Sequence, residues 1–227
     1  MNDEGKEQPD QATAVPGLFS RYIRIFVAPD LLFQGLRTQP LWGGAMLLGA
    51  CLVLAGTGLI PPELFIATLR ESGQDLPPGL EDQGNVFRLA GAAAAFIFWS
   101  ISLAIFAGVI MVIFAFLLGH EGTYRQYLAV IAHAQLISAT STVVLLPLRI
   151  IAEDAQLVLS VGTFAVFLDS GYPLRFLSAL DLFGLWAWLL VGLGAARIGR
   201  KKSWIGASVI VMVIPVTIAT VVAIFTG

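Results

Sequence analysis

The sequence has 227 residues, of which 57% are hydrophobic and 12% are charged. Soluble domains carry about a quarter charged residues, so this composition excludes an ordinary soluble domain and indicates an integral membrane protein. The net charge of −2 argues against nucleic acid as a partner, and the single cysteine, Cys51, excludes an internal disulfide or a thiolate zinc cluster.

The N-terminal region is predicted to lie outside the membrane. Residues 1–16 are polar, so we expect a disordered cytoplasmic tail, and no apolar stretch follows the start closely enough for a cleaved signal. From Leu18 to Phe26, apolar residues recur at helical spacing between Arg21 and Arg24. This pattern predicts an amphipathic helix in the headgroup interface, followed by a second short helix that Asp30 caps.

Five apolar stretches are each long enough to be predicted as membrane-spanning helices. They cover about 41–60, 89–118, 127–151, 180–198 and 204–225. The second would reach about 45 Å as one helix, and its small residues, including Gly91 and Gly108, predict faces for close helix packing. Pro147 and Pro215 predict kinks. The fold class is therefore all-α, a polytopic membrane helical bundle preceded by interfacial helices.

Two connecting segments complete the scheme. Residues 63–86 are polar and rich in glycine and proline, which predicts the largest loop between spans. Residues 155–168 are apolar but too short to cross, which predicts an interfacial or re-entrant helix.

The positively charged residues outside the spans predict the orientation. Nine lie on the side of the N-terminus, and four lie on the other side. Because lysine and arginine accumulate in cytoplasmic loops, the N-terminus is predicted in the cytoplasm and, after five crossings, the C-terminus outside.

Three stretches in order resemble the Yip-type domain family, membrane proteins named for interaction with Ypt and Rab GTPases, in its prokaryotic form. They are FVAPDLLFQGLR at 26–37, GHEGTYRQ at 119–126 leading into VIAHA at 130–134, and DLFGLW at 181–186. The resemblance covers the chain from about residue 17 and implies five helices, a cytoplasmic N-terminus, no cofactor and a bacterial inner-membrane location. The family's Asp-Leu-Tyr-Gly-Pro signature is absent before the first span, where residues 36–42 read LRTQPLW, so Rab-type GTPase binding is not carried over.

Polar residues at membrane depth are the candidate sites. His133, Ser141 and Asp181 could line a proton-responsive cavity, or they could bond between helices and cap the fourth span. Arg149 lies four residues before Glu153, which is the spacing for an ion pair on one helix. We favour structural roles for all of them. Because the two histidines lie far apart in the sequence, we do not expect a metal site.

Two polar links are candidate contact regions. His120, Glu121 and Arg125 lie between the second and third spans, where they could contact a lipid headgroup or a cytoplasmic partner. The alternative, which we favour, is structural: Gly122 supplies the turn, Thr123 caps the next helix and Arg125 snorkels. The second link carries a basic group that sets topology and meets anionic lipid, namely Arg197, Arg200, Lys201 and Lys202.

No GxSxG, HExxH or Walker-type motif is present, so we do not expect an enzyme. The leading hypothesis is a non-enzymatic scaffold that organises membrane or binds a membrane-protein partner or a second copy. The alternative is a small transporter or channel for an ion, lipid or solute using His133, and a cavity that reaches this residue would distinguish the two.

Overall fold

A computed structural model describes residues 16–71, 83–165, 167–201 and 203–225. In these ranges the chain is a bundle of α-helices, and the sole strand-like contact is an isolated bridge between Ser160 and Asp181. The predicted all-α membrane bundle is confirmed. The tail predicted at 1–16 lies, except for Pro16, outside the described residues.

Helices α1 (Leu18–Val27) and α2 (Pro29–Thr38) form where the amphipathic pattern predicts them. They pack directly on the bundle, with Ile25 of α1 and Phe33 of α2 fully buried. The predicted cap at Asp30 is wrong, because Pro29 already occupies the first helical position and no side chain caps α2. Asp30 instead pairs with Arg197 and accepts a hydrogen bond from Gln34.

The first apolar stretch forms one helix that is followed by a second helix at a right angle to it. Helix α3 (Gly43–Gly58) ends near Pro61, and α4 (Pro62–Glu71) leaves at 90°. The loop predicted at 63–86 is therefore wrong over its first part, since α4 continues to Glu71; residues 72–82 lie outside the described ranges. Gly56 of α3 lies against Thr142, where no Cβ would fit.

Helix α5 (Gly84–Met111) continues into a π-helix at Val112–Leu117, giving 34 residues and about 51 Å at 1.5 Å per residue. It starts before the predicted residue 89. Gly91 packs against Phe65, whereas a Cβ at Gly108 would meet nothing within 4 Å, so Gly108 makes no close packing face within the described structure.

The central helix is broken into α6 (Tyr124–Ala134), α7 (Leu136–Val144) and α8 (Leu146–Ile151). The second break, at Leu145, immediately precedes the turn that contains Pro147, as its predicted kink requires. The first break, at Gln135, has no proline or glycine signal. In the most apolar 18-residue stretch of Tyr124–Ile151, 72% is buried inside the bundle.

Helices α10 (Leu182–Ile198) and α11 (Ile205–Phe225) close the bundle. Gly192 of α10 allows the backbone of Ser208 in α11 to approach closely, and Ser208 Oγ donates to Leu189 O at 3.0 Å. Helix α11 continues through Pro215 as one element.

Residues between α8 and α10 hold little helix. The described part of 155–168 contains only a 3₁₀ turn at Val161–Phe164, so the continuous helix predicted there is wrong, and α9 (Tyr172–Ser178) follows. The 3₁₀ turn starts at a capping box formed by Ser160 and Thr163. Because Ser160 is in an extended conformation there, a helix does not continue across it.

In the described residues, three helices are long and apolar enough to cross a membrane, and a fourth is obtained if α3 and α4 form one bent span. At 17 residues, α10 reaches only about 26 Å, short of the roughly 30 Å hydrocarbon core. The count of five crossings therefore stays a prediction.

Candidate functional site

A buried pair of basic side chains links the N-terminal helix to the bundle centre. Arg21 on α1 is 7% exposed and His133 on α6 is 0% exposed. Arg21 Nη1 lies 3.2 Å from His133 Nε2 and donates to Leu41 O at 2.7 Å. The amphipathic helix is therefore held to the bundle by a polar contact beneath its apolar face.

The Arg21 contact fixes the proton arrangement of the imidazole. Burial lowers the pKa of Arg21, but a guanidinium stays protonated and has no acceptor, so His133 Nε2 must accept. The proton is then on Nδ1, which donates to Ala129 O at 2.8 Å. Both ring nitrogens of a neutral His133 are satisfied within the protein.

Hydroxyl groups near His133 bond mainly to their own helix. Ser141 Oγ donates to Ser138 O at 2.8 Å, and Thr140 Oγ1 donates to Leu136 O at 2.6 Å. Thr140 also contacts the Tyr22 hydroxyl of α1 at 3.0 Å. The arrangement supplies packing contacts, and His133 does not line the hollow beside α4, the hollow between α2 and the end of α10, or the hollow around His120.

Asp181 caps α10, accepting from the amides of Gly184 at 2.8 Å and Phe183 at 3.3 Å. Neither side-chain oxygen of Asp181 bonds to His133, whose ring nitrogens contact Arg21 and Ala129. The structure therefore does not bring Asp181 and His133 into one hydrogen-bonded site.

The ion pair predicted between Arg149 and Glu153 is wrong. Helix α8 ends at Ile151, and Glu153 has a φ of 53°, so the two residues do not share a helix face. Arg149 Nε donates instead to Leu157 O at 3.0 Å.

The link between the π-helix and α6 is built around His120. The centroid of its ring lies 5.4 Å from that of Phe114, with the two ring planes tilted by 47°. The ring also fills the space beside Gly199, so it joins this link to the end of α10. Burial first, and then the charge of Lys201, lowers the pKa of His120. Glu121 is exposed, which leaves it available to solvent.

A capping box starts α6. Thr123 N donates to Gln126 Oε1 at 2.8 Å, and Gln126 Nε2 donates to Arg37 O at 2.6 Å. The predicted cap at Thr123 is present, but the left-handed turn residue is Gly119, with a φ of 65°, rather than Gly122. Arg125 is exposed on the first turn.

The basic link after α10 converges on α2. Arg197 pairs with Asp30 through its Nε and donates from Nη1 to Lys201 O at 2.7 Å. Arg200 and Lys201 are exposed beside it, and Lys202 lies outside the described residues.

Sequence reasoning missed Arg21 and Asp30 as site residues. Arg21 was counted among charges outside the spans, but four residues separate it from the fully buried Ile25, so a helical period already places both on one face. Without Arg21, the side of the N-terminus still carries more positively charged residues than the other side, so the predicted orientation is unchanged. The described residues contain no group of three His, Cys, Asp or Glu side chains that could hold a metal.

Comparison with known proteins gives one informative relative. The chain is 21% identical over 215 residues to "Membrane protein YknW" of Bacillus subtilis (strain 168), and the match covers 92% of this chain and 91% of that protein. No family model matches the chain, and no solved structure matches it. Together with the apolar helices, this similarity identifies the chain as a helical membrane protein.

Proposed function

We propose that this chain is a non-enzymatic, Yip-like membrane scaffold in a bacterial inner membrane, which organises the membrane or binds a membrane-protein partner or a second copy. The observation that carries the proposal is the complete burial of His133. With an exposed fraction of 0%, the ring is out of reach of a water-sized probe, and its two nitrogens already have partners in Arg21 and Ala129.

This arrangement weighs against the transporter alternative. A proton- or solute-handling histidine needs access to water or substrate during its cycle. Here the ring sits beside a cation whose other bond, to Leu41 O, closes the same region. The hydroxyls of Ser141 and Thr140, on the next helix along the chain, also bond to carbonyls of their own helix.

Two surfaces support a scaffold role. Helix α1 presents a second apolar face, where Phe19 is 76%, Ile23 44% and Val27 73% exposed. Spacing of four residues places these side chains in one stripe, opposite the buried side chains, as an interfacial helix requires.

The second surface is an apolar stripe along α5 and the π-helix that continues it. Its members recur every three or four residues and are all more than a third exposed, namely Phe98, Ile101, Ile105, Val109, Val112 and Phe116. Such spacing fits a lipid face or an apposed helix.

Site-specific photocrosslinking in native membranes tests the proposal. A photoreactive residue at Phe98 or Ile105 should give a discrete protein adduct, from a partner or a second copy, whereas the matched position Ala107, which is 0% exposed, should give none. Lipid adducts alone at Phe98, Ile105 and Phe19 would refute partner binding.

A flux assay separates the alternative. The purified full chain in liposomes should move no protons or small solutes across a range of pH. Flux that disappears in His133→Phe would refute the scaffold proposal and favour transport.

A further inference from the structure

The ends of α2 and α10 form a basic hollow on the surface. It has a volume of about 350 Å³ and is lined by Gln34, Arg37, Arg197, Arg200 and Lys201. Only the first two belong to α2, so the hollow assembles side chains that lie more than 150 residues apart in the sequence.

The charges of this hollow are unbalanced. Asp30 neutralises Arg197. Within the described residues, no carboxylate oxygen lies within 4 Å of the charged groups of Arg37, Arg200 or Lys201. Three like charges gathered on one concave surface repel each other unless an anion joins them.

The backbone reinforces this reading. The amides of Arg200 and Lys201 donate to Arg197 O at 3.2 Å and Ala196 O at 2.9 Å, which is the Schellman pattern that ends a helix. That motif places its second-to-last residue in the left-handed region, where glycine is usual. Here the position is Arg200, with a φ of 54°.

Glycine occupies the preceding position for another reason. At Gly199 a Cβ would overlap the ring of His120, so a glycine is required there for packing and not for a positive φ. The chain therefore tolerates a strained arginine at 200, and strain of this kind concentrates at functional positions.

The surroundings of the hollow distinguish between a lipid phosphate and a free phosphate. The hollow lies at the polar end of the apolar helix α10, and on α2 the exposed Leu31 is one turn from Gln34. A phosphate joined to acyl chains would use both the cations and this apolar neighbour. A free phosphate would use the cations alone.

We propose that this hollow binds the phosphate group of an anionic phospholipid, with Arg37, Arg200 and Lys201 as its cationic ligands. The proposal depends on membrane embedding and not on the scaffold role, so it stands whether or not the crosslinking experiment yields a partner.

Native mass spectrometry of the full chain in an uncharged detergent tests this binding. Phosphatidylglycerol, phosphatidylcholine and inorganic phosphate are titrated separately. We expect phosphatidylglycerol to bind most tightly, each of Arg37→Gln and Arg200→Gln to weaken it roughly fivefold, and the double variant about 25-fold, since each cation near an anionic headgroup contributes similarly. The control Arg24→Gln, on the same predicted side of the membrane, should change binding less than twofold.

A second variant separates binding from folding. Arg200→Gly relieves the left-handed strain, so it should raise the melting temperature of the lipid-free protein while weakening phosphatidylglycerol binding. Equal binding of phosphatidylcholine, equal loss in Arg24→Gln, or binding of inorganic phosphate with the same affinity and variant pattern would each overturn the proposal.

Discussion

The contact between Arg21 and His133 should be measurable as a coupling free energy. Replacing Arg21 by Met keeps most of the apolar volume but leaves Leu41 O and His133 Nε2 without a donor. Leaving Nε2 of the fully buried His133 unpaired costs about 1–3 kcal/mol, whereas Leu41 is 45% exposed. We therefore expect Arg21→Met to lower the free energy of unfolding by about 1–3 kcal/mol, less whatever is regained by removing a buried charge.

His133→Phe removes the other partner, and the double variant removes both. Because polar contacts between membrane helices contribute at most about 1.7 kcal/mol, the coupling should lie near 1–1.5 kcal/mol, with the double variant more stable than the sum of the single losses predicts. For a chain of this size, 1 kcal/mol moves the melting temperature by roughly 2–4 °C.

Thermal unfolding in detergent, followed by tryptophan fluorescence, gives the four melting temperatures of the cycle. Arg24→Met is the control, since the side chain of Arg24 on α1 has no hydrogen bond to any described residue, and it should stay within about 0.5 kcal/mol of wild type. Additivity of the two single variants within about 0.5 kcal/mol would refute the pairing of Arg21 with His133.

Further predictions concern packing, capping, protonation and topology. Gly56→Ala should destabilise the protein by about 1–3 kcal/mol, whereas Gly108→Ala should be neutral or stabilising by up to about 1 kcal/mol, and melting temperatures in detergent compare them directly. Asp181→Ala should cost about 1 kcal/mol and Asp181→Asn much less, because asparagine keeps the capping oxygen; equal losses would contradict the cap. Since the folded pKa of His120 lies below its ordinary value of 6.5, the unfolded chain binds more protons between the two, and the melting temperature should fall as pH drops below 6.5. The fall should be smaller in His120→Gln. A C-terminal tag should be labelled from outside intact cells and an N-terminal tag only after permeabilisation. Two tags on the same side of the membrane would refute five crossings, and the reverse pattern would refute the predicted orientation.

Much of the fold follows from hydropathy and spacing, because long apolar runs have few alternatives in a bilayer. Helices α5, α6–α8 and α11 were predictable on that ground. The corner between α3 and α4 was not, since Pro61 and Pro62 start a new helix as readily as they end one. Composition alone predicts a loop in both cases.

The candidate site was predicted only in part. His133 was recognisable as a polar group at membrane depth, whereas its partner Arg21 lay in a helix that its charge assigned to the interface. The basic residues Arg197 and Arg200 were visible as a run, but nothing local in the sequence shows that they meet Arg37. Contacts between distant segments depend on tertiary packing, which periodicity does not encode.

The contrast in burial between helices bears on how the chain enters the membrane. In Gly84–Leu117 and in Ile205–Phe225, only 22% of the most apolar 18-residue stretch is buried inside the bundle. In Tyr124–Ile151 the corresponding share is 72%. The outer two can partition into lipid individually as they leave the translocon. The central segment carries His133, Gln135 and several hydroxyls, so its insertion becomes favourable when neighbouring helices shield them. Biogenesis of this protein should therefore be cooperative, with the polar centre retained by helices that are already in the bilayer.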